Sequence, residues 1–263
     1  MNNSPIGIFD SGIGGVTVFK SIQKLLPKEN ILYLSDNLNS PYGNKSKKEI
    51  QELSLINSEW LTNKGCKVIV VACNTATTNS ISLLREAFKL PFIGVEPAIK
   101  PAAINTKTGN IGVLATKGTL SSNLFNITSN DYCSKINIIE KNGDGLVEMI
   151  ENGILNGSEI EDLLLKFLNP MIKSNIDHLV LGCTHYPLIK DSIIKILPSN
   201  VKVLESGEAV AKQTKKIITN NNIIASNINP NYDFYCNGSD RTLKKILPNN
   251  FKIKTIQNGK TYN

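Results

Sequence analysis

Long hydrophobic runs are missing from this chain. The longest, such as Val68 to Cys73, fall far short of the length needed to cross a bilayer, so no membrane contact is expected. The start, "MNNSPIGIFD", has neither the basic region nor the apolar stretch of a signal peptide, which makes the cytoplasm the expected compartment. Cysteine is scarce and unpaired. Cys66, Cys73, Cys133, Cys183 and Cys236 make an odd count with no CxxC pair, which argues against a disulfide framework or a structural zinc site. Histidine occurs only at His178 and His185. Arginine clusters and interleaved aromatics are also absent: the formal charge is +7, but the lysines are dispersed in fragments such as "NKSKKE" and "KQTKK". This reads as a solvated basic surface, and nucleic acid is not the expected partner.

What is present supports a folded globular chain. With 263 residues, 41% hydrophobic and 19% charged, the chain can bury a core in one large domain or two ordinary ones. Short β-branched runs alternate with helical patterns: Ile6–Phe9, Ile31–Leu34, Val68–Ala72, Phe92–Val95, Ile111–Leu114, Ile136–Ile139, His178–Leu181 and Val201–Leu204 are the expected strands. The stretch "SKKEIQELSLINSEWLTNKG" opens with Ser46 and Glu49 in capping-box register and stops at Gly65. Such alternation predicts an α/β fold with mainly parallel sheets, and ligands then sit beyond the carboxyl ends of the strands.

An internal echo divides the chain. "IGIFDSGIGG" from Ile6 resembles "IGVLATKGT" from Ile111, "VIVVACNTA" from Val68 resembles "HLVLGCTHY" from His178, and "FIGVEPA" from Phe92 resembles "VKVLESGEA" from Val201. Three pairs in the same order at nearly the same spacing predict two similar halves. The last stretch, from Tyr232, reads as strand, helix, strand and has no counterpart, so it is expected to return to the first half. That places residues 1–97 with 208–263 in one domain and 98–207 in the other.

The chemistry gathers at strand ends. "DSGIGG" (Asp10 to Gly15) follows the first strand but has Thr17 where a dinucleotide fingerprint needs glycine. Asp10 would repel a phosphate and suits a cationic group such as a substrate ammonium; capping of the next helix by Asp10 and Ser11 is the plainer alternative. "SDNLNSPYG" (Ser35 to Gly43) is a turn shaped by Pro41 and Gly43 around Tyr42. "ACNTAT" and "LGCTHYP" each end a buried strand with a thiol followed by hydrogen-bonding residues. Cys66, Cys133 and Cys236 read as small hydrophobes. Cys73 and Cys183 differ: Asn74 and Thr75, or Thr184 and His185, follow them, and a helix N-terminus after each would lower the thiol pKa. Two activated thiols across one cleft form an acid and a base on opposite faces of a small molecule, the arrangement that racemisation needs. A metal held by Cys73, Cys183 and His185, and a Cys–His hydrolase, are the rivals.

The segments "IFDSGIGG", "SDNLNSPYG", "ACNTAT", "GVEPA", "ATKGT" and "LGCTHYPLI" together resemble those of bacterial glutamate racemases, members of the aspartate/glutamate racemase superfamily. The resemblance implies two α/β domains related by a pseudo-twofold, with the active site in the interdomain cleft and no cofactor or metal. It implies interconversion of L- and D-glutamate by a two-cysteine, two-base mechanism that supplies D-glutamate for peptidoglycan. Cys73 then serves the D-glutamate side and Cys183 the L-glutamate side, with Asp10 and His185 assisting the thiols. Substrate contacts are implied for Asp10, Ser11, Pro41, Tyr42, Gly43, Asn74, Thr75, Thr116, Thr119, Thr184 and His185. Glu151 aligns with the family's central glutamate because a glycine follows at the matching distance, with Glu148 as competitor. Glu205 stands where the family commonly has aspartate. The sequence leaves the oligomeric state open, with a homodimer as the candidate assembly. A racemase of aspartate or another small dicarboxylate is the nearest alternative, and a nucleic-acid-binding protein the alternative from another class.

Overall fold

The computed structural model describes residues 3–133, 136–249 and 251–256. Its elements, in chain order, alternate almost throughout. The first half contains β1 (Ile6–Asp10), α1 (Val16–Leu25), β2 (Ile31–Ser35), α2 (Lys47–Asn63), β3 (Val68–Val71), α3 (Asn74–Ala87) and β4 (Phe92–Gly94). The second contains α4 (Ile99–Asn105), β5 (Asn110–Ala115), α5 (Lys117–Leu120), α6 (Asn123–Cys133), β6 (Asn137–Asn142), α7 (Leu146–Glu151), α8 (Ser158–Lys173), β7 (His178–Gly182), α9 (Lys190–Ile196) and β8 (Lys202–Leu204). The chain then runs through α10 (Gly207–Asn220), β9 (Tyr232–Cys236), α11 (Arg241–Ile246) and β10 (Ile253–Thr255).

All strand pairings are parallel and form two sheets, in the orders β10-β9-β2-β1-β3-β4 and β6-β5-β7-β8. Taking β5 to β8 as the repeats of β1 to β4, the core order 2-1-3-4 recurs. The echoed segments at Ile6, Val68 and Phe92 therefore occupy the same places as those at Ile111, His178 and Val201. The tail adds two strands to the first sheet: β9 pairs with β2, and β10 with β9.

The period of two along each strand separates the two faces of the first sheet. Ile6, Ile8, Val68 and Val70 pack in one cluster with Val18, Phe19 and Ile22 of α1 and with Val210, Ala211 and Ile218 of α10. Phe9, Ile69 and Val71 face the other way, onto Trp60 and Leu61 of α2 and Ile81 and Leu84 of α3. Both faces being covered explains why these strands read as continuous apolar runs rather than alternating ones. Each such side chain, fully buried, stabilises the fold by roughly 1.5–3 kcal/mol. The capping box of α2 is formed: the Ser46 hydroxyl accepts the Glu49 N–H, and the Glu49 carboxylate accepts the Ser46 N–H at 2.8 Å. Gly65 ends that helix region at φ 75°, a conformation open to glycine at little cost.

Below the first sheet, the buried Lys67 ammonium meets the Glu29 carboxylate at 2.5 Å and donates to the Ile223 carbonyl, while Glu29 accepts the Ala225 N–H. This pair anchors the segment that leads into β9. Cys66 packs beside Gly7, where an added Cβ would come within 2.9 Å of the sulfur. Burial pushes its thiol up to about 12, as suits a small hydrophobe. Cys236 is likewise buried and free, whereas the side chain of Cys133 lies outside the described residues.

Candidate active site

The carboxyl ends of β1, β3, β5 and β7 converge on one cleft. Asp10 closes β1 and is fully buried. Its carboxylate accepts the Gly12 N–H at 2.8 Å and the Thr184 hydroxyl at 3.0 Å, so it binds its own loop to the opposite half. It does not cap the following helix, whose N-cap is Gly15 with no side-chain bond. Burial raises its pKa to about 6, against the opposing pull of His185 and of its two hydrogen bonds. The glycines of this loop are needed for close approach: a Cβ on Gly12 would stand 1.7 Å from the Glu151 carboxylate, and one on Gly14 would stand 2.7 Å from the His185 backbone nitrogen.

Cys73 is the N-cap of α3. Its sulfur accepts the Ala76 N–H at 3.4 Å and lies 3.5 Å from the Ser11 hydroxyl. The helix N-terminus was expected to lower this thiol's pKa; the structure overturns that. Complete burial, joined by the nearby Asp10 carboxylate, outweighs the lowering effect of the Ala76 and Ser11 hydrogen bonds and pushes the thiol up to about 12. Behind it, the hydroxyls of Thr75, Thr116 and Thr119 form a triangle with edges of 2.8, 3.1 and 3.3 Å that joins the two halves.

The second thiol is placed differently. No α-helix begins after Cys183: a turn comes first, then a 3-10 helix over Tyr186–Ile189 with Pro187 in its first turn, and only then α9. The expectation of a helix N-terminus at both cysteines therefore holds for Cys73 alone. Cys183 instead has an imidazole. His185 Nδ1 lies 3.7 Å from its sulfur, and Nε2 lies 2.6 Å from the Glu151 carboxylate. Burial would depress the His185 pKa, but its hydrogen bonds to Cys183 and Glu151 prevail and hold it well above the ordinary imidazole range. Glu151 also accepts the Ile13 N–H at 2.8 Å. Glu148, the competitor, lies on the exposed side, where the Asn44 amide donates to it at 3.3 Å.

A network that sequence reasoning missed lies beneath the Pro41–Gly43 turn. The buried Asp36 carboxylate accepts the Tyr42 hydroxyl and the amides of Asn39, Asn57 and Asn237. A carboxylate in a turn reads as a surface residue; only α2 and β9, brought in from distant sequence, make it a buried hub. Thr17, noted as the departure from a dinucleotide motif, donates to the Gly14 and Thr184 carbonyls at 2.9 and 3.3 Å.

Both thiols line one small pocket. Of the expected contacts, Ser11, Pro41, Tyr42, Gly43, Asn74, Thr75, Thr116, Thr184 and His185 form its wall, with Val147 as an addition. Asp10, Thr119 and Glu151 stand behind that wall and touch its members. Among the described residues, no group of three or more His, Cys, Asp or Glu is placed to hold a metal, and no helix is long and apolar enough to cross a membrane.

Two parallel α/β domains thus meet at one small pocket lined by a pair of thiols, each with its own hydrogen-bonding neighbours. The chain belongs to the Asp/Glu/Hydantoin racemase family, whose model matches residues 6–214. It is 39% identical over 93% of its length to a glutamate racemase of Stutzerimonas stutzeri, 93% of which is covered. Its fold is similar to that of a glutamate racemase isoform from Bacillus anthracis, with a TM-score of 0.88 at 34% identity and all of both chains covered. It is also similar to Escherichia coli glutamate racemase in complex with L-glutamate and the activator UDP-MurNAc-ala, with a TM-score of 0.84 at 30% identity, covering 97% of this chain and 98% of that one.

Proposed function

We propose that the chain interconverts L- and D-glutamate by two-base proton transfer, with Cys183 serving the L face and Cys73 the D face. The observation that carries this reading is the pair of thiols on one pocket, each with separate partners: Ser11 and Asp10 near Cys73, His185 and Glu151 behind Cys183. The α-hydrogen of an amino acid is a far weaker acid than a thiol. The site must therefore hold the developing carbanion electrostatically while one sulfur takes the proton and the other returns one. The hydroxyls and amides of Ser11, Asn74, Thr75 and Thr184 on the pocket wall supply donors for the substrate carboxylates.

Glutamate is preferred over aspartate as the substrate because the relatives described above, at 30–39% identity, are glutamate racemases; a single methylene changes binding by only ~1–3 kcal/mol. The D-glutamate formed is used for peptidoglycan in the cytoplasm, a reading supported by the resemblance and by the activator bound to the Escherichia coli relative. Loss of the gene should then make growth depend on added D-glutamate, and growth without it would remove this assignment.

The mechanism is tested in deuterated water. With two bases, the proton taken from L-glutamate by Cys183 is not the one Cys73 returns. Early D-glutamate should carry deuterium at the α-carbon while unreacted L-glutamate stays unlabelled, and the reverse reaction should mirror this. Substantial substrate protium in the early product would mean that one base serves both faces.

A further inference from the structure

Glu151 reaches the His185 side of the site from α7, a helix of six residues. A segment that short cannot hold its end rigid unaided, and its last carbonyls lack intrahelical partners. The N–H groups that follow bond to the carbonyls of Glu148, Ile150 and Met149, and none of them takes the Glu151 carbonyl. That carbonyl instead accepts the Thr242 hydroxyl at 2.6 Å. Thr242 is buried in the first turn of α11, between the two strands that return to the first sheet. From the same side, the Ile13 N–H holds the Glu151 carboxylate. The backbone end and the side-chain end of one residue are therefore both clamped by the opposite half of the chain.

We propose that Thr242 is a positioning residue for the Cys183 half-reaction, acting through Glu151 and His185. The contacts run in one line: the Thr242 hydroxyl to the Glu151 carbonyl, the Glu151 carboxylate to His185 Nε2 at 2.6 Å, and His185 Nδ1 to the Cys183 sulfur at 3.7 Å. Cys73 shares no hydrogen bond with this line among the described residues; its bonds are to Ser11 and Ala76, with the charges of Asp10 and Cys183 beyond them. A loss at Thr242 should therefore slow one of the two proton transfers and leave the other alone. This inference rests on the two-base reading above and adds to it a residue that lies outside the matched stretch of residues 6–214.

The test compares the wild type with Thr242→Val, which keeps the shape and removes the donor, and Thr242→Ser, which keeps the donor. Folding is monitored by circular dichroism, and Thr242→Ala replaces the valine variant if that one does not fold. The two enantiomers are equal in energy, so kcat/KM must fall alike in both directions, by about tenfold for the loss of one hydrogen bond. The discriminating readout is the primary deuterium isotope effect. With α-deuterated L-glutamate it should rise, because removal by Cys183 becomes more rate-limiting. With α-deuterated D-glutamate it should fall, because return by Cys183 then limits and removal by Cys73 is masked. Serine should restore both. A general loosening of the fold would slow both transfers and leave the two isotope effects unchanged or move them together; either result, an unchanged rate, or a rise on the D side would overturn the proposal. A wild type that does not racemise glutamate would sink the reading it rests on instead, so the two failures are separable.

Discussion

The two thiol loops come from equivalent places in the repeated sheets, yet their surroundings share almost nothing. Cys73 caps an α-helix and meets a serine, with a carboxylate beyond it; Cys183 opens a turn and meets an imidazole backed by a carboxylate. A mirror-symmetric task does not require mirror-symmetric chemistry. What the repeat conserves is where each sulfur stands relative to the pocket. The groups set beside it differ on each side, and Asp10, bonded to Thr184 across the cleft, connects the two arrangements.

The largest expected effect erases the comparison. Cys73→Ala or Cys183→Ala should each cut racemisation by ~10³-fold or more, measured by circular dichroism of glutamate, because each direction needs both groups. Survival of a sizeable rate in either variant would end the two-thiol account. Next, His185→Asn and Asp10→Asn should each slow the reaction by about 10–100-fold without ending it, each removing an assistant from a different side. Losses as deep as those of the cysteines would point to a Cys–His or metal arrangement.

Asp10→Asn should also stabilise the fold, which His185→Asn should not. The Asp10 pKa is raised from 3.8 to about 6, so the folded state binds its proton more tightly than the unfolded chain does. Asp10 therefore imposes no penalty below pH ~4, a growing one between pH 4 and 6, and a constant one of up to about 3 kcal/mol above that. Urea melts should show asparagine more stable at pH 8 and the gain gone near pH 4. A gain independent of pH would deny the buried-charge explanation. The smallest effect belongs to Glu148→Gln, which should change the rate by less than about twofold, since its bond to Asn44 is exposed. A larger loss there than in Glu151→Gln would reverse the choice between the two glutamates.

Much of this was legible in the residues. Apolar runs on both faces of a sheet give unbroken β-branched strings, so β1, β3 and β7 could be placed to within a residue or so, and the Ser46–Glu49 box marked a helix start by local rules alone. Pro187 in "CTHYP" carried a signal that was missed: it suits the first turn of a helix, which puts that start beyond the thiol rather than at it. The pKa of Cys73 and the Asp36 hub were not legible for a different reason. Each is decided by how completely distant elements shut out water, and no window of sequence contains that. Thr242 belongs with them, because its partner is reached only after the chain has returned to the first sheet.

That return has a consequence for the order of synthesis. The four strands of the second sheet lie between residues 110 and 204 and are made as one uninterrupted block. The first sheet begins earlier and finishes later, because the strand beside β2 is Tyr232–Cys236. While the chain is being made, β2 keeps an open edge until the ribosome has passed the whole of the second sheet. The half that is translated first is therefore the last to be closed.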